Sequence, residues 1–235
     1  MVTTPANITS TGKKSFLTSG KKEIESLLAI RLYVDSKSSR HQIFYISTLD
    51  TNSVGDAGAR QRHLFVVDSA PGSVEKCLSC DAAVGRGCKY FTASAFQNSQ
   101  KKVEEDVYFV LTCRGDDLLY GAGKVAPFTA LVRYSTLAGE TKIVKVLEKN
   151  AGFAEKMAKY DWPEKKFFEA PIETSDGDNG LVIRGQVFLP PNFEKKSGKE
   201  EKHPVLFNIY SGPSTTKVND KFVVDWHTYM ATQKG

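Results

Sequence analysis

The sequence predicts a mostly β chain whose last third changes to a mixed α and β texture. Three observations carry this reading. Short runs rich in aromatic and β-branched residues recur through the first 150 positions, each is bounded by turn-forming residues, and helical periodicity hardly occurs there.

Taken in order, the runs 42–47, 63–67, 89–96, 106–113, 129–134 and 142–147 read as strands of an antiparallel meander. From Gly152 the texture changes. Segment 153–160 places apolar residues at 153, 154, 157 and 158, which is helical spacing, and it stops before Trp162-Pro163. Two further strands follow at 166–170 and 181–189, separated by a turn-rich stretch at 175–180 and closed by Pro190-Pro191. Segment 194–203 is a charged loop. Segment 204–210 (Pro-Val-Leu-Phe-Asn-Ile-Tyr) is a continuous apolar run of the kind that forms a strand covered on both faces in an α/β sheet, and Ser211-Gly212-Pro213 breaks it. A domain boundary is expected between about 150 and 165.

Composition limits the function classes. With 235 residues, 40% hydrophobic and 25% charged, the chain is long enough for one or two domains with a buried core. No apolar run approaches the roughly 18 residues of a membrane-spanning helix. The net charge of +5 comes from Lys pairs such as Lys21-Lys22 and Lys165-Lys166 scattered along the chain. Nucleic-acid binders concentrate such charge on one element and interleave aromatics, so these lysines read as solvated surface and no nucleic-acid partner is expected.

The first fifteen residues hold no apolar stretch of a secretory signal. Asn7-Ile8-Thr9 is a glycosylation sequon, which counts only for a chain in the secretory pathway, so Asn7 is a conditional candidate. Both ends read as cuts within a longer sequence.

The four cysteines admit several readings. Cys77-Leu-Ser-Cys80 could clasp a metal, but Cys88 and Cys113 supply no second knuckle, and the all-β surroundings do not suit a thioredoxin-like pair. Two disulfides are favoured, Cys77–Cys80 as a tight clip and Cys88–Cys113 between neighbouring strands, with four reduced core cysteines as the alternative. Disulfides need an oxidising compartment, so a targeting segment is expected in sequence preceding this chain.

The order of Cys77-Leu-Ser-Cys80, Cys88, Cys113, Leu189-Pro-Pro-Asn-Phe193, Pro204-Val-Leu-Phe-Asn-Ile-Tyr-Ser-Gly-Pro213 and Phe222-Val-Val-Asp-Trp226 resembles the dipeptidyl peptidase IV and fibroblast activation protein family, in the prolyl oligopeptidase clan. The resemblance extends to Thr228-Tyr229 and is continuous from about Phe16. One departure is the interval from Cys80 to Cys88, a residue longer than the family pattern. The resemblance implies the last two blades of an eight-bladed β-propeller over residues 12–152, then the opening strands of an α/β-hydrolase domain over 153–235. It also implies peptide substrates, release of N-terminal dipeptides ending in Pro or Ala, frequent homodimers, and a place on the extracellular face of the plasma membrane through an anchor outside this chain, or secretion. No cofactor and no metal are expected.

A hydrolase of this fold needs a Ser at a strained Gly-x-Ser-x-Gly elbow, then Asp, then His. No such elbow occurs in these 235 residues. His41, His63, His203 and His227 match non-catalytic stretches, Ser211 and Ser214 read as turn formers, and Glu104-Glu105 as a loop pair rather than the glutamates that grip a substrate amino terminus. Trp226 and Tyr229 are expected in core packing. The chain by itself is therefore expected to be inactive. One catalytic part is implied by the resemblance: Tyr210, whose hydroxyl would donate to the oxyanion of a tetrahedral intermediate. The alternative is a non-catalytic propeller-type binding module or pseudoenzyme relative. Two blades alone would leave strand edges unpaired.

Overall fold

The computed structural model describes residues 6–8, 14–34, 39–96, 106–115, 126–172, 181–191, 193, 203–210, 212 and 216–232. Its centre is two successive four-stranded antiparallel sheets. The first contains β3 (Ile24–Val34), β4 (Ser39–Ser47), β5 (His63–Asp68) and the short β6 (Lys76–Cys77), paired in that order. The second contains β7 (Phe91–Ala95), β8 (Val107–Cys113), β9 (Phe128–Ser135) and β10 (Glu140–Glu148), also in chain order. Before them, β1 (Ala6–Ile8) pairs with β2 (Lys14–Phe16). Asn7 lies on β1, its backbone opposite Ser15.

Side-chain alternation explains how the two sheets meet. In β4 and β5 both faces are covered, because successive side chains point to opposite sides of a strand. Phe44, Ile46, Leu64 and Val66 face the second sheet and join Phe91, Phe109, Leu111, Val132 and Tyr134 in the main core. Ile43, Tyr45, Phe65 and Val67 face the other way and collect Leu17, Ile24 and Leu49. By contrast β8 and β9 alternate strictly between buried and more exposed positions, so the second sheet is covered chiefly on one face. Phe44 anchors the junction, with its ring 5.2 Å from that of Phe109 and 5.6 Å from that of Tyr134. Two consecutive meanders of four strands stacked in this way are consistent with propeller blades.

The loops between strands carry three short helical turns. Asp50 caps α1 (Thr51–Val54) by accepting from the Asn52 N–H, and a 3-10 turn spans Asp56–Arg60. Asp81 caps α2 (Ala82–Gly85) by accepting from the Ala83 N–H, and Arg86 ends it in the left-handed region at φ 52°. The long Cys80–Cys88 interval is therefore taken up by one helical turn and a left-handed stop. Gly85 is needed for close approach: a β-carbon there would overlap the Ser79 carbonyl oxygen. Gly85→Ala is expected to cost about 1–3 kcal/mol, the usual penalty of forcing extra volume into a tight contact. A thermal melt within about 1 °C of the parent would show that the loop gives way freely.

Downstream, α3 (Ala151–Met157) is followed by the hairpin of β11 (Glu164–Ile172) and β12 (Leu181–Leu189), and later by α4 (Trp226–Thr232). The hairpin sits against the first sheet's 56–62 loop. The Arg60 guanidinium stacks 3.6 Å from the Phe167 ring centroid, and Arg184 pairs with Asp56 at 2.7 Å. Among the described residues no helix is long and apolar enough to cross a membrane.

The structure departs from the sequence reading in four places. Segment 204–210 is not a strand: it pairs with no other strand among the described residues, and Val205, Phe207 and Ile209 are exposed. An apolar run becomes a strand only where a neighbour supplies the ladder hydrogen bonds. Trp226 and Tyr229 are exposed on α4 rather than in a core, because this helix buries only its Thr228 side. Two of the lysines read as solvated are not: Lys22 pairs with Glu75 and its side chain is 2% exposed, and Lys165 is buried. The eleven-residue strand β3 was not singled out from the sequence at all. Segments 175–180 and 194–202, the pair Glu104-Glu105, and Ser211 and Ser214 lie outside the described residues.

Candidate functional site

Tyr210 ends segment 203–210, and its side chain is 53% exposed. Its ring turns back over the following residues. A β-carbon at Gly212 would overlap the Tyr210 hydroxyl and ring, and the Lys217 ammonium lies 5.2 Å from the ring centroid. The ring therefore does not lie in a core of the described residues.

Lys217 also lines a cleft of about 240 Å³ between the β11–β12 hairpin and segment 216–228, with Lys165, Phe188, Thr216, Asp225 and His227 around it. The first sheet helps position this wall. Arg62, 3% exposed, donates to Glu25 at 2.5 Å and reaches Thr216 Oγ1 at 3.3 Å, while the Asp220 N–H donates to the Arg60 carbonyl at 3.1 Å. Lys165 Nζ donates to the Asn219 carbonyl at 2.6 Å, with its ammonium near the Phe167 and Phe188 rings.

Asp225 and His227 are a pair that the sequence reading passed over. Asp225 Oδ1 accepts from the N–H groups of His227 at 2.9 Å and Thr228 at 3.3 Å, and its own N–H donates to Thr228 Oγ1 at 3.4 Å. This reciprocal arrangement is an N-terminal helix cap, and the Asp-x-x-Thr spacing ahead of α4 is its sequence signal. Burial pushes the Asp225 carboxyl upward, but hydrogen bonds from His227 and Thr228 outweigh it and hold the pKa below the usual value. His227 Nδ1 lies 3.2 Å from Asp225 Oδ2, its ring stacks on Phe188, and Nε2 meets Asn208 Nδ2 at 2.8 Å. No serine or cysteine lines the cleft among the described residues, and the Thr216 and Thr228 hydroxyls are engaged by Arg62 and the Val223 carbonyl. The pair therefore orders the start of α4.

A second cluster surrounds the cysteines. Cys77 is bonded to Cys80 and Cys88 to Cys113, with Cα separations of 5.5 and 6.1 Å. His63, at the head of β5, is buried beside the first bridge. Its Nδ1 is 3.1 Å from Ser79 Oγ and its Nε2 is 3.1 Å from Gln61 Oε1. Burial pushes this imidazole down to about 4, whereas an unfolded histidine titrates near 6.5. Between those values the unfolded chain binds the extra proton, so the stability is fully present above about pH 6.5 and is lost as pH falls toward 4, by about 3 kcal/mol in all. Urea melts between pH 7.5 and 4 should show this slope, and His63→Asn should flatten it. Equal slopes for both chains would assign the acid sensitivity to other groups.

No family model matches the chain. It is 28% identical to prolyl endopeptidase FAP of Mus musculus over 219 residues and 27% identical to dipeptidyl peptidase 4 of Sus scrofa over 218 residues. Each match covers 93% of this chain and 23% of the relative. A probable dipeptidyl-aminopeptidase B of Tuber melanosporum is 34% identical over 117 residues, half of this chain. The chain thus spans about a quarter of the length of the curated relatives it matches.

Proposed function

Because this chain is a homologue of the dipeptidyl peptidase 4 and FAP family, we propose that it forms part of a serine exopeptidase that removes N-terminal dipeptides ending in Pro or Ala. The observation that carries this reading is the continuous match across 93% of the chain to relatives named as peptidases. In this reading residues 12–152 are the last two propeller blades and residues 153–235 open the α/β-hydrolase domain. The exposed apolar stretch Val205 to Ile209 supports it, since a run that is apolar on both faces is suited to covering by further strands. Tyr210 supplies an oxyanion donor. The nucleophile, acid and base belong to a Gly-x-Ser-x-Gly elbow and later residues, none of which occurs in these 235 positions. Two disulfides fit an extracellular setting, on the membrane surface or secreted, where Asn7 would be open to glycosylation and the whole protein would act on peptides as a homodimer.

The experiment is hydrolysis of Gly-Pro and Ala-Pro chromogenic amides. A protein carrying this chain together with the serine elbow releases the chromophore, and the 235-residue chain alone does not. Absence of turnover in the longer protein, with folding intact, would transfer the role to a binding module. Turnover by the short chain would overturn the assignment of the nucleophile.

A further inference from the structure

We propose that His63, Cys77 and Cys80 form a zinc site that becomes available when the Cys77–Cys80 disulfide is reduced. One ring nitrogen of His63 and the two sulfurs all lie within 4.8 Å of one another. Tetrahedral zinc, with Zn–S near 2.3 Å and Zn–N near 2.0 Å, holds neighbouring ligand atoms about 3.5–3.8 Å apart, so opening the S–S bond moves the sulfurs toward zinc spacing. Two thiolates and one imidazole are a donor set that zinc accepts, with a water in the fourth position.

The backbone that carries these ligands is held independently of the disulfide. Cys77 pairs with Phe65 in the β5–β6 ladder, the Leu78 N–H donates to the Leu64 carbonyl at 2.7 Å, and the Leu64 N–H donates to Ser79 Oγ at 3.0 Å. The orientation of His63 also fits. Gln61 Oε1 can only accept, so Nε2 carries the proton and the Nδ1 lone pair faces Ser79, inside the loop between the two cysteines. The contact from Nε2 to Gln61 would keep the ring oriented while Nδ1 exchanges Ser79 for the metal.

Access distinguishes this bridge from the other one. Cys80 is exposed and Cys77 half-buried, whereas Cys88 and Cys113 are both buried. The first bridge also closes a much shorter interval, a sequence separation of 3 against 25, so its loss frees less of the unfolded chain. A dithiol reductant attacks Cys80 Sγ through one thiolate and releases Cys77 as a thiolate. Its second thiol then displaces Cys80, and the reductant leaves as a cyclic disulfide, having given two electrons to the cysteine pair. Zinc binds both sulfurs as thiolates, and two protons pass to solvent.

The test treats the full 235-residue chain with dithiothreitol, removes the reductant under argon, and titrates with Co²⁺ as a spectroscopic probe and then with Zn²⁺. The expected result is one Co²⁺ per chain with thiolate charge-transfer absorption, displaced by Zn²⁺ and missing from the oxidised chain. Cys80→Ser should abolish that absorption, and His63→Asn should weaken binding roughly tenfold or more. Far-ultraviolet circular dichroism accompanies each sample. The proposal is overturned if a reduced chain with two free thiols and an intact β signal takes up no cobalt. It is equally overturned if Cys80→Ser and His63→Asn bind as the parent does, or if the β signal is lost on reduction.

Discussion

If the proposed peptidase role holds, Tyr210→Phe in an active protein that carries this chain is expected to lower kcat by about 10²–10³ and leave KM nearly unchanged, which corresponds to about 3–4 kcal/mol of lost transition-state stabilisation. The asymmetry follows from when the hydroxyl acts. A donor aimed at the developing oxyanion meets little charge in the ground state, so its loss appears in kcat rather than in binding. The structure gives the control. Tyr210 is half exposed, and its ring rests over Gly212 beside Lys217 rather than in a core, so removing its oxygen leaves no buried partner unsatisfied. The thermal midpoint should therefore stay within about 1–2 °C of the parent. A tyrosine that served only to hold its turn would give the reverse pattern, a lowered midpoint with kcat intact. Gly212→Ala provides a second approach, because its β-carbon would displace the ring and should reduce kcat without touching the hydroxyl chemically.

The two meanders were legible because their strands carry both signals at once. Strands β5, β8 and β9 are aromatic and β-branched and end in turn residues, and β8 and β9 also bury one face by alternation. Strand β3 escaped notice because Leu27-Leu28-Ala29 is as compatible with a helix as with a strand, and its state is decided by pairing with β4. Segment 204–210 failed in the opposite sense: its local signal is strong, but a strand is a relation between segments, and no partner lies among the described residues. The site followed the same division. The cysteine pairs were legible from the sequence, and Tyr210 was singled out through the family resemblance of its contiguous 204–213 stretch. The His63–Ser79 contact and the Lys165–Lys217–His227 cleft join residues far apart in the chain, and no pattern along the sequence marks them.

Removing the Cys88–Cys113 bridge should be the most damaging change to stability. The double variant Cys88→Ala, Cys113→Ala is expected to lose about 3.5 kcal/mol, the chain-entropy value for the loop that it closes, against about 2 kcal/mol for the same change at Cys77 and Cys80. Position reinforces the difference. Cys113 ends the central strand β8, opposite Phe91 on one side and Phe128 on the other, and the Gly115 N–H approaches its sulfur at 3.2 Å. Cys88 immediately precedes the place where the two sheets exchange backbone hydrogen bonds, Arg62 N–H to the Lys89 carbonyl at 3.0 Å and Phe91 N–H to the Arg62 carbonyl at 2.9 Å. The bridge thus ties the sheet junction to the core of the second sheet. Alanine rather than serine is the informative replacement, since a hydroxyl at a fully buried position would add a desolvation cost of its own, about 1–3 kcal/mol. Urea unfolding of both double variants against the parent measures the contrast. If the two variants lose equal amounts, loop length and position in the junction do not govern the effect, and the denatured chain must hold the 88–113 loop together without the bond.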